Sequence, residues 1–222
     1  MTEAAPVYHY AGLDLATASD FTCLAILRRV DPPEYVETST TVGGLVWRER
    51  RLAQDPPPVE WHLVHLERWR GLSYPKIVDK VKKRLDVVPG VTTFLDATGV
   101  GRPVFDMVQE RGLPCLGCLI HGGDKVTQDG PFFKVPKRDL AAVTAVALQN
   151  GRLKIGADLK ERDVLIRELE SFKVEFNPQT AHDSYASWRE GVHDDAVLSV
   201  SMSLWLANYQ SGVVWYAPSL LQ

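Results

Sequence analysis

An apolar stretch near the N-terminus that ends in one carboxylate constrains the fold more than any other feature. Residues 7–15 are apolar enough to form a strand at the centre of a sheet, residues 16–20 indicate a turn, and residues 21–30 indicate a second strand. These segments predict an antiparallel hairpin with Asp14 at the end of its first strand. A buried acid at that position is costly unless something cationic lies against it. The hairpin therefore predicts a cation beside Asp14.

Two later apolar stretches also run into acids. Residues 91–96 end in Asp96, and the last long apolar segment begins at Asp194 and Asp195. In open α/β sheets, ligands lie at the carboxyl ends of the strands. We therefore expect the carboxylates of Asp14, Asp96 and the Asp194/Asp195 pair to converge and to hold a divalent metal ion.

The order of the segments predicts an α/β fold. Before residue 73, the pattern predicts a short edge strand at 35–41, an irregular insertion at 43–58 and a third antiparallel strand at 59–70. After residue 73 the hydrophobic period becomes that of helices, interrupted by short β-branched runs. The later segments are a helix after Ser73, a strand at 91–96, a helix at 103–111, a strand at 113–120, a loop at 121–135, a helix from Pro136 to Asn150, an extended segment at 153–155, a helix at 159–172, an edge strand or hairpin arm at 172–176, a loop at 177–191 and a helix at about 194–209.

Strand, helix and strand in succession predict a parallel pair joined by a right-handed crossover. The expected architecture is a mixed sheet of three antiparallel plus two parallel strands, flanked by helices. Because the chain contains neither an internal repeat nor a convincing linker, we expect residues 1–222 to form a single domain.

Composition limits the possible functions. The 222 residues are 45% hydrophobic with a formal net charge of −3, so the overall charge gives no reason to expect a nucleic-acid partner. It does not exclude one, since an acidic metal site and local basic patches cancel in the sum. No apolar run approaches the roughly 18 to 20 residues of a membrane span, and no signal peptide is evident. With three cysteines, we expect a cytoplasmic protein with no membrane partner.

Simpler roles account for each acid taken alone. Asp14 and Asp96 suit turns, while Asp194 and Asp195 suit the first turn of a helix, where the dipole favours negative charge. We favour the metal site because it explains all three positions at once, whereas the simpler roles require three unrelated explanations.

A second candidate metal site is weaker. Cys115, Cys118 and His121 have the spacing of half a zinc site, but no fourth ligand follows at a suitable distance. Two small residues inside a buried strand are the better interpretation of the cysteines.

Several short motifs occur in a fixed order over residues 10–208, and each is weak alone. The motifs are GLD at 12–14, SDFT at 19–22, FLDATG at 94–99 with Gly101, VPKRDL at 135–140, GRLKI at 151–155, LIRELESF at 165–172 and HDDAV at 193–197. The ordered set resembles the motifs of ribonuclease H-like nucleases, and specifically of the nuclease domain of phage terminase large subunits.

The resemblance implies a ribonuclease H-like mixed sheet and a set of catalytic carboxylates at Asp14, Asp96, Asp194 and Asp195. By similarity to resolvase-like members, Asp195 is the first choice of its pair. Membership implies two Mg²⁺ or Mn²⁺ ions held by Asp14, Asp96 and Asp195, with Asp14 as the bridging ligand.

Three further residues are candidates for contacting the DNA backbone: Lys137, Arg138 and His193. The implied activity is endonucleolytic hydrolysis of double-stranded DNA during viral genome packaging, in the host cytoplasm. A terminase ATPase domain, a small terminase subunit and a portal are the implied partners. One departure is clear, because no GxxxxGK[ST] motif occurs, so we expect no packaging ATPase in this chain.

Three alternatives stay open at this level. A Holliday-junction resolvase would use the same fold and chemistry. An actin-like or sugar-kinase-like nucleotide-binding domain also uses Gly-x-Asp strands, but it usually needs two such domains and a longer chain. A degenerate domain could bind DNA or a portal without cutting, although the retained acids argue against it.

Overall fold

The computed structural model describes residues 7–16, 20–32, 35–42, 45–52, 58–99, 101–175 and 194–211. The strands within these residues are β1 His9–Asp14, β2 Phe21–Val30, β3 Tyr35–Val42, β4 Leu45–Leu52, β5 Glu60–Arg70, β6 Val91–Asp96, β7 Cys115–His121, β8 Thr127–Asp129, β9 Phe132–Pro136 and β10 Leu153–Ile155. The helices are α1 Tyr74–Leu85, α2 Gly101–Glu110, α3 Lys137–Gln149, α4 Arg162–Glu175 and α5 Asp195–Ser211.

The main sheet is mixed and has the strand order β10-β5-β2-β1-β6-β7-β9-β8. Strands β1, β2 and β5 are antiparallel neighbours, whereas β1, β6, β7 and β9 run parallel. The expected combination of three antiparallel and two parallel strands is therefore confirmed as the centre of the sheet, which β8, β9 and β10 extend at its two edges. Strand β1 is the junction between the antiparallel and parallel halves, so Asp14 lies at the carboxyl end of a central strand.

Helices cover both faces of the sheet. On one face, α1 and α2 pack over the odd-numbered side chains of β1, including Ala11 and Leu13. On the other, α3, α4 and α5 pack over Tyr10 and the facing residues of β2 and β6. The expected last helix is confirmed, and it is buried along nearly its whole length because the sheet lies beneath it and α3 and α4 lie beside it.

A β-bulge in β5 changes which side chains face α5. Ile26 of β2 pairs with His65 and Leu27 pairs with Leu63, which leaves Val64 as an extra residue on β5. Trp61 and Leu63 face α5 before the bulge, and Leu66 faces it afterwards. The spacing of Trp61, Leu63 and His65 in the sequence predicts that all three lie on one side of the strand. This prediction is wrong because the bulge places Leu66 on that side in place of His65.

Three sequence predictions are corrected. Residues 45–52, expected within an irregular insertion, form β4 and pair with β3 in a separate two-stranded sheet. Residues 121–135, expected as a loop, contain β8 and most of β9. Residues 172–175 continue α4 instead of forming an edge strand. The prediction of a loop at 177–191 lies outside the described residues.

The described helices include none that combines the length and the hydropathy needed to cross a lipid bilayer.

Candidate metal-binding site at the carboxyl end of the sheet

Asp14 and Asp96 leave the sheet side by side. Leu13 of β1 pairs with Leu95 of β6 in a parallel register, so the next residue of each strand is one of the two acids. Neighbouring strands lie about 4.8 Å apart. Asp14 is 7% exposed and Asp96 is 5% exposed, which makes both acids buried. The structure thus brings together the first two carboxylates that the sequence singled out.

Both acids point to the α5 face of the sheet. Along β1 the side chains alternate, and Leu13 belongs to the core beneath α1 and α2. Along β6, Phe94 belongs to the core beneath α5, whereas Leu95 belongs to the opposite core. Asp14 and Asp96 each follow a leucine that faces α1 and α2, so their own side chains face α5. Both acids end their strands, and the N-terminal end of α5 lies over this end of the sheet.

Gly12 allows α5 to approach β1 closely. A Cβ atom at this position would overlap the backbone carbonyl of Ser199, and it would also crowd the backbone nitrogen of Ser203 at 3.1 Å. The Ser199 hydroxyl also lies 3.2 Å from the Cys23 sulfur on β2. Gly12 of the GLD motif is therefore required by the crossing of a helix over a strand.

This crossing brings Asp195 towards Asp14. Asp195 precedes Ser199 by one helical turn, a rise of about 6 Å, and Asp14 follows Gly12 by two strand residues, about 6.6 Å. Asp195 is 6% exposed, and it begins α5 as the acidic residue of the first turn. Asp194 precedes the helix and its carbonyl accepts the Leu198 N–H at 2.8 Å.

The turn after Asp96 fixes this carboxylate. Asp96 Oδ1 accepts a hydrogen bond from the Thr98 backbone N–H at 2.8 Å, and Thr98 Oγ1 accepts one from Ile120 N–H of β7 at 3.0 Å. A Cβ atom on Gly101 would overlap the Asp96 carbonyl oxygen. The turn role considered for Asp96 is therefore present, and it orients the side chain at the end of β6.

A fourth buried carboxylate, Glu168 of α4, was not identified from the sequence. Its Oε2 accepts hydrogen bonds from Ala196 N–H at 2.9 Å and Val197 N–H at 3.0 Å, and Arg68 Nη1 lies 3.5 Å from its Oε1. A glutamate within the apolar positions of an amphipathic helix, next to Leu165 and Leu169, was the available signal. Arg68 could not be found in this way, because the bulge in β5 decides which face it joins.

Buried thiols flank the carboxylates. Cys23 pairs with Asp14 across β1 and β2, and Cys118 pairs with Asp96 across β6 and β7. Burial raises the pKa of both thiols, and the negative charges of Asp14 and Asp96 raise the pKa of their respective neighbours further. Both cysteines therefore stay protonated near neutral pH, and the oxygen atoms of the carboxylates are the anionic groups of the site.

The remaining predicted residues have different outcomes. Lys137 begins α3 after Pro136, and Arg138 donates to the Asp124 carbonyl at 2.8 Å and forms an ion pair with its carboxylate. His193 lies outside the described residues. Cys115 and Cys118 belong to the cores on opposite faces of β7, which rules out joint binding of zinc by the two thiols. Among the described residues, no three His, Cys, Asp or Glu side chains are arranged as a metal-binding group.

Comparison with known proteins defines the fold class. No protein-family model matches the chain, and no curated protein is significantly similar to it in sequence. The eight-stranded mixed sheet flanked by helices is the ribonuclease H-like α/β fold.

The solved structures that resemble the chain include nuclease domains of terminases. The magnesium-bound large terminase nuclease of thermophilic phage G20c has a TM-score of 0.50 at 15% identity, with 90% of this chain and 82% of that chain covered. Its cobalt-bound form has a TM-score of 0.52 at 15% identity, with 89% and 80% covered. The manganese-soaked nuclease domain of human cytomegalovirus terminase has a TM-score of 0.50 at 10% identity, with 96% and 90% covered. At these identities the likeness establishes the fold, and this fold is the one that the sequence motifs implied.

Proposed function

We propose that this protein is a metal-dependent endonuclease that hydrolyses phosphodiester bonds of double-stranded DNA. The observation that supports the proposal best is the burial of Asp14, Asp96 and Asp195 at one end of a terminase-like sheet. Buried carboxylates that lie near one another repel, and a cation among them offsets this repulsion.

The chemistry of these groups fits Mg²⁺ or Mn²⁺. Both ions prefer hard oxygen ligands, and Mg²⁺ in particular keeps several water ligands and needs few protein groups. Asp14 and Asp96 supply oxygens from adjacent strands, and Asp195 supplies them from the facing helix. These hard ions prefer carboxylate oxygens to the sulfur atoms of Cys23 and Cys118. In our proposal, Asp14 as the central acid would hold both ions, while Asp96 and Asp195 would each hold one.

A pair of divalent ions held by these residues would supply Lewis-acid chemistry for phosphodiester hydrolysis, activating a water molecule and stabilising the transition state and the leaving oxygen. Contacts within the protein fix the positions of the carboxylates. The Asp96 turn and the close packing of α5 on Gly12 fix the carboxylates before substrate binds. Lys137, Arg138 and His193 are proposed to contact the phosphate backbone, with Arg138 exchanging Asp124 for a phosphate.

The resemblance to terminase nuclease domains supports a proposal for the biological setting. We infer that the protein cuts concatemeric viral DNA when genome packaging begins or ends, in the cytoplasm of the host. A terminase ATPase domain would move the DNA, and a small terminase subunit and the portal are the expected further partners. We propose that residues 1–222 form a single nuclease domain.

Plasmid cleavage tests the proposal. We expect the wild type to nick and then linearise supercoiled DNA in Mn²⁺ or Mg²⁺, and we expect EDTA to abolish cutting. Asp14→Asn, Asp96→Asn and Asp195→Asn should abolish it as well, whereas Asp194→Asn should reduce it less. Asp106→Asn is the matched control, since Asp106 is an exposed acid of α2.

Two outcomes would contradict the proposal. Undiminished cutting by the three variants would overturn the site, and the absence of cutting by a folded, metal-loaded wild type would overturn the activity. A four-way junction offered beside linear duplex separates the nearest alternative, because selective cutting of the junction by a dimer would indicate a resolvase.

A further inference from the structure

Glu168 joins α4 to the first turn of α5. Its Oε2 accepts hydrogen bonds from the backbone N–H groups of Ala196 and Val197 at 2.9 and 3.0 Å, and the residue is only 7% exposed. The N–H groups of a helix's first turn have no partner within the helix. Glu168 therefore does from a neighbouring helix what an N-cap side chain normally does.

The other carboxylate oxygen connects Glu168 to the sheet. Glu168 Oε1 lies 3.5 Å from Nη1 of Arg68, and the two side chains are 6% and 9% exposed. The Arg68 guanidinium in turn lies 4.0 Å from the centroid of the Phe21 ring on β2. One carboxylate thus links β5, α4 and the beginning of α5.

These contacts suit a supporting role, because one oxygen of Glu168 accepts two backbone N–H groups of α5 and the other lies in an ion pair with Arg68. Burial raises the pKa of Glu168 to about 7, and the negative charge of Asp195 adds to the rise, while the Val197 N–H and Arg68 oppose it. The charge of Asp195 therefore acts on Glu168, whose carboxylate binds the N–H of the next residue, Ala196.

We propose that Glu168 is a positioning residue, which fixes the first turn of α5 and thereby the Asp195 carboxylate opposite Asp14. The chemical consequence rests on the proposed nuclease function, whereas the anchoring of α5 rests only on the contacts described above. Residues that hold metal ligands in place typically contribute about 10- to 100-fold to metal affinity or activity.

Amide hydrogen exchange tests the anchoring in the absence of metal. In Glu168→Ala we expect the amides of residues 195–198 to exchange roughly tenfold faster, since each loses a hydrogen bond or lies beside one that is lost. Glu168→Gln should keep most of the protection, because its amide oxygen still accepts both N–H groups. Glu170→Ala is the control, as Glu170 is exposed on the same helix. Equal protection in the wild type and Glu168→Ala would overturn the proposal.

The metal dependence of plasmid cleavage tests the consequence for the site. We expect Glu168→Ala to raise the half-saturating Mn²⁺ concentration about tenfold, with turnover at saturating Mn²⁺ nearly unchanged, and Glu168→Gln to restore most of the affinity. A loss of turnover at an unchanged half-saturating concentration would indicate lost folded protein and would overturn the positioning role. If the wild type does not cleave at all, the proposed function fails, and amide exchange alone decides whether Glu168 anchors α5.

Discussion

The two faces of the sheet bury different kinds of side chain. The buried residues of α1 and α2 are apolar, apart from Gly101 at the beginning of α2. Beneath and along α5, by contrast, the structure buries hydroxyls and charges. These buried polar residues are Asp14, Asp96, Thr144, Glu168, Asp195, Ser199, Ser201, Ser203 and Asn208, and the half-buried Arg68 lies beside Glu168.

Two of the buried hydroxyls on the α5 face form a chain of hydrogen bonds between α3 and α5. The Thr144 hydroxyl on α3 donates to Ser201 Oγ at 2.7 Å, and the Ser201 hydroxyl in turn donates to the Val197 carbonyl at 2.7 Å. A buried polar group left without a partner costs about 1–3 kcal/mol. The α5 face therefore depends on fixed geometry, and it is the face that holds the candidate site. The opposite face depends mainly on apolar burial, and its buried polar residues are His9, Thr22 and Thr93 on the strands.

Arg68→Met should have the largest effect on stability, because it leaves the Glu168 carboxylate buried without its cation. We expect the free energy of unfolding at pH 8 to fall by about 3 kcal/mol or more, measured by urea denaturation. Arg70, two residues further along β5, supplies the control. It is exposed and lies 5.5 Å from the Phe21 centroid, so Arg70→Met should cost less than about 1 kcal/mol. Equal losses would show that the polar face is no more dependent on its pairs than the surface.

Gly12→Ala should come next, since the added methyl group meets the Ser199 carbonyl. We expect a loss of roughly 3 kcal/mol and a weakened response to Mn²⁺, because α5 must move away from β1. Thermal unfolding with and without Mn²⁺ measures both effects. Ala11→Gly, on the opposite face of the same strand, should cost about 1 kcal/mol and leave the Mn²⁺ response intact. A fully stable Gly12→Ala protein would contradict the close approach.

Val81→Ala tests the apolar face. Val81 is fully buried on α1, and loss of its two methyl groups should cost about 2 kcal/mol. Since α1 lies across the sheet from α5, the half-saturating Mn²⁺ concentration for cleavage should not change. A shift in metal affinity as large as that expected for Glu168→Ala would show that the two faces are not separable.

Asp79→Asn should have the smallest effect. Asp79 accepts a hydrogen bond from Arg111 Nε at 2.8 Å, but its side chain is 65% exposed. Exposed ion pairs contribute about 0–1 kcal/mol, so the urea midpoint and the Mn²⁺ dependence should both stay near those of the wild type. A loss above 1 kcal/mol would mean that ion pairs stabilise the apolar face as well.

Sequence reasoning succeeded where local pattern and tertiary environment agree. Asp14 and Asp96 end strands whose apolar runs are long enough to identify, and parallel pairing brings their ends together. The helix after Ser73 was predictable because helical spacing separates its buried positions from its basic ones. Asp195 begins a helix whose apolar surface on all sides already indicated burial.

It failed where the outcome depends on contacts between distant segments. Strand β4 contains several charged residues and is paired only with β3, so no apolar alternation marks it. The bulge at Val64 arises from pairing with β2, and it alone directs Arg68 to Glu168. The anchoring of α5 by Glu168 spans 28 residues of sequence, beyond the reach of any helix-capping motif.

Anomalous diffraction from crystals grown with Mn²⁺ tests the central claim most directly. We expect anomalous peaks in contact with the carboxylate oxygens of Asp14, Asp96 and Asp195, with Asp14 touching each bound ion, and we expect Asp14→Asn to abolish them. Well-occupied peaks away from these three side chains, or peaks that persist in the Asp14→Asn protein, would contradict the account.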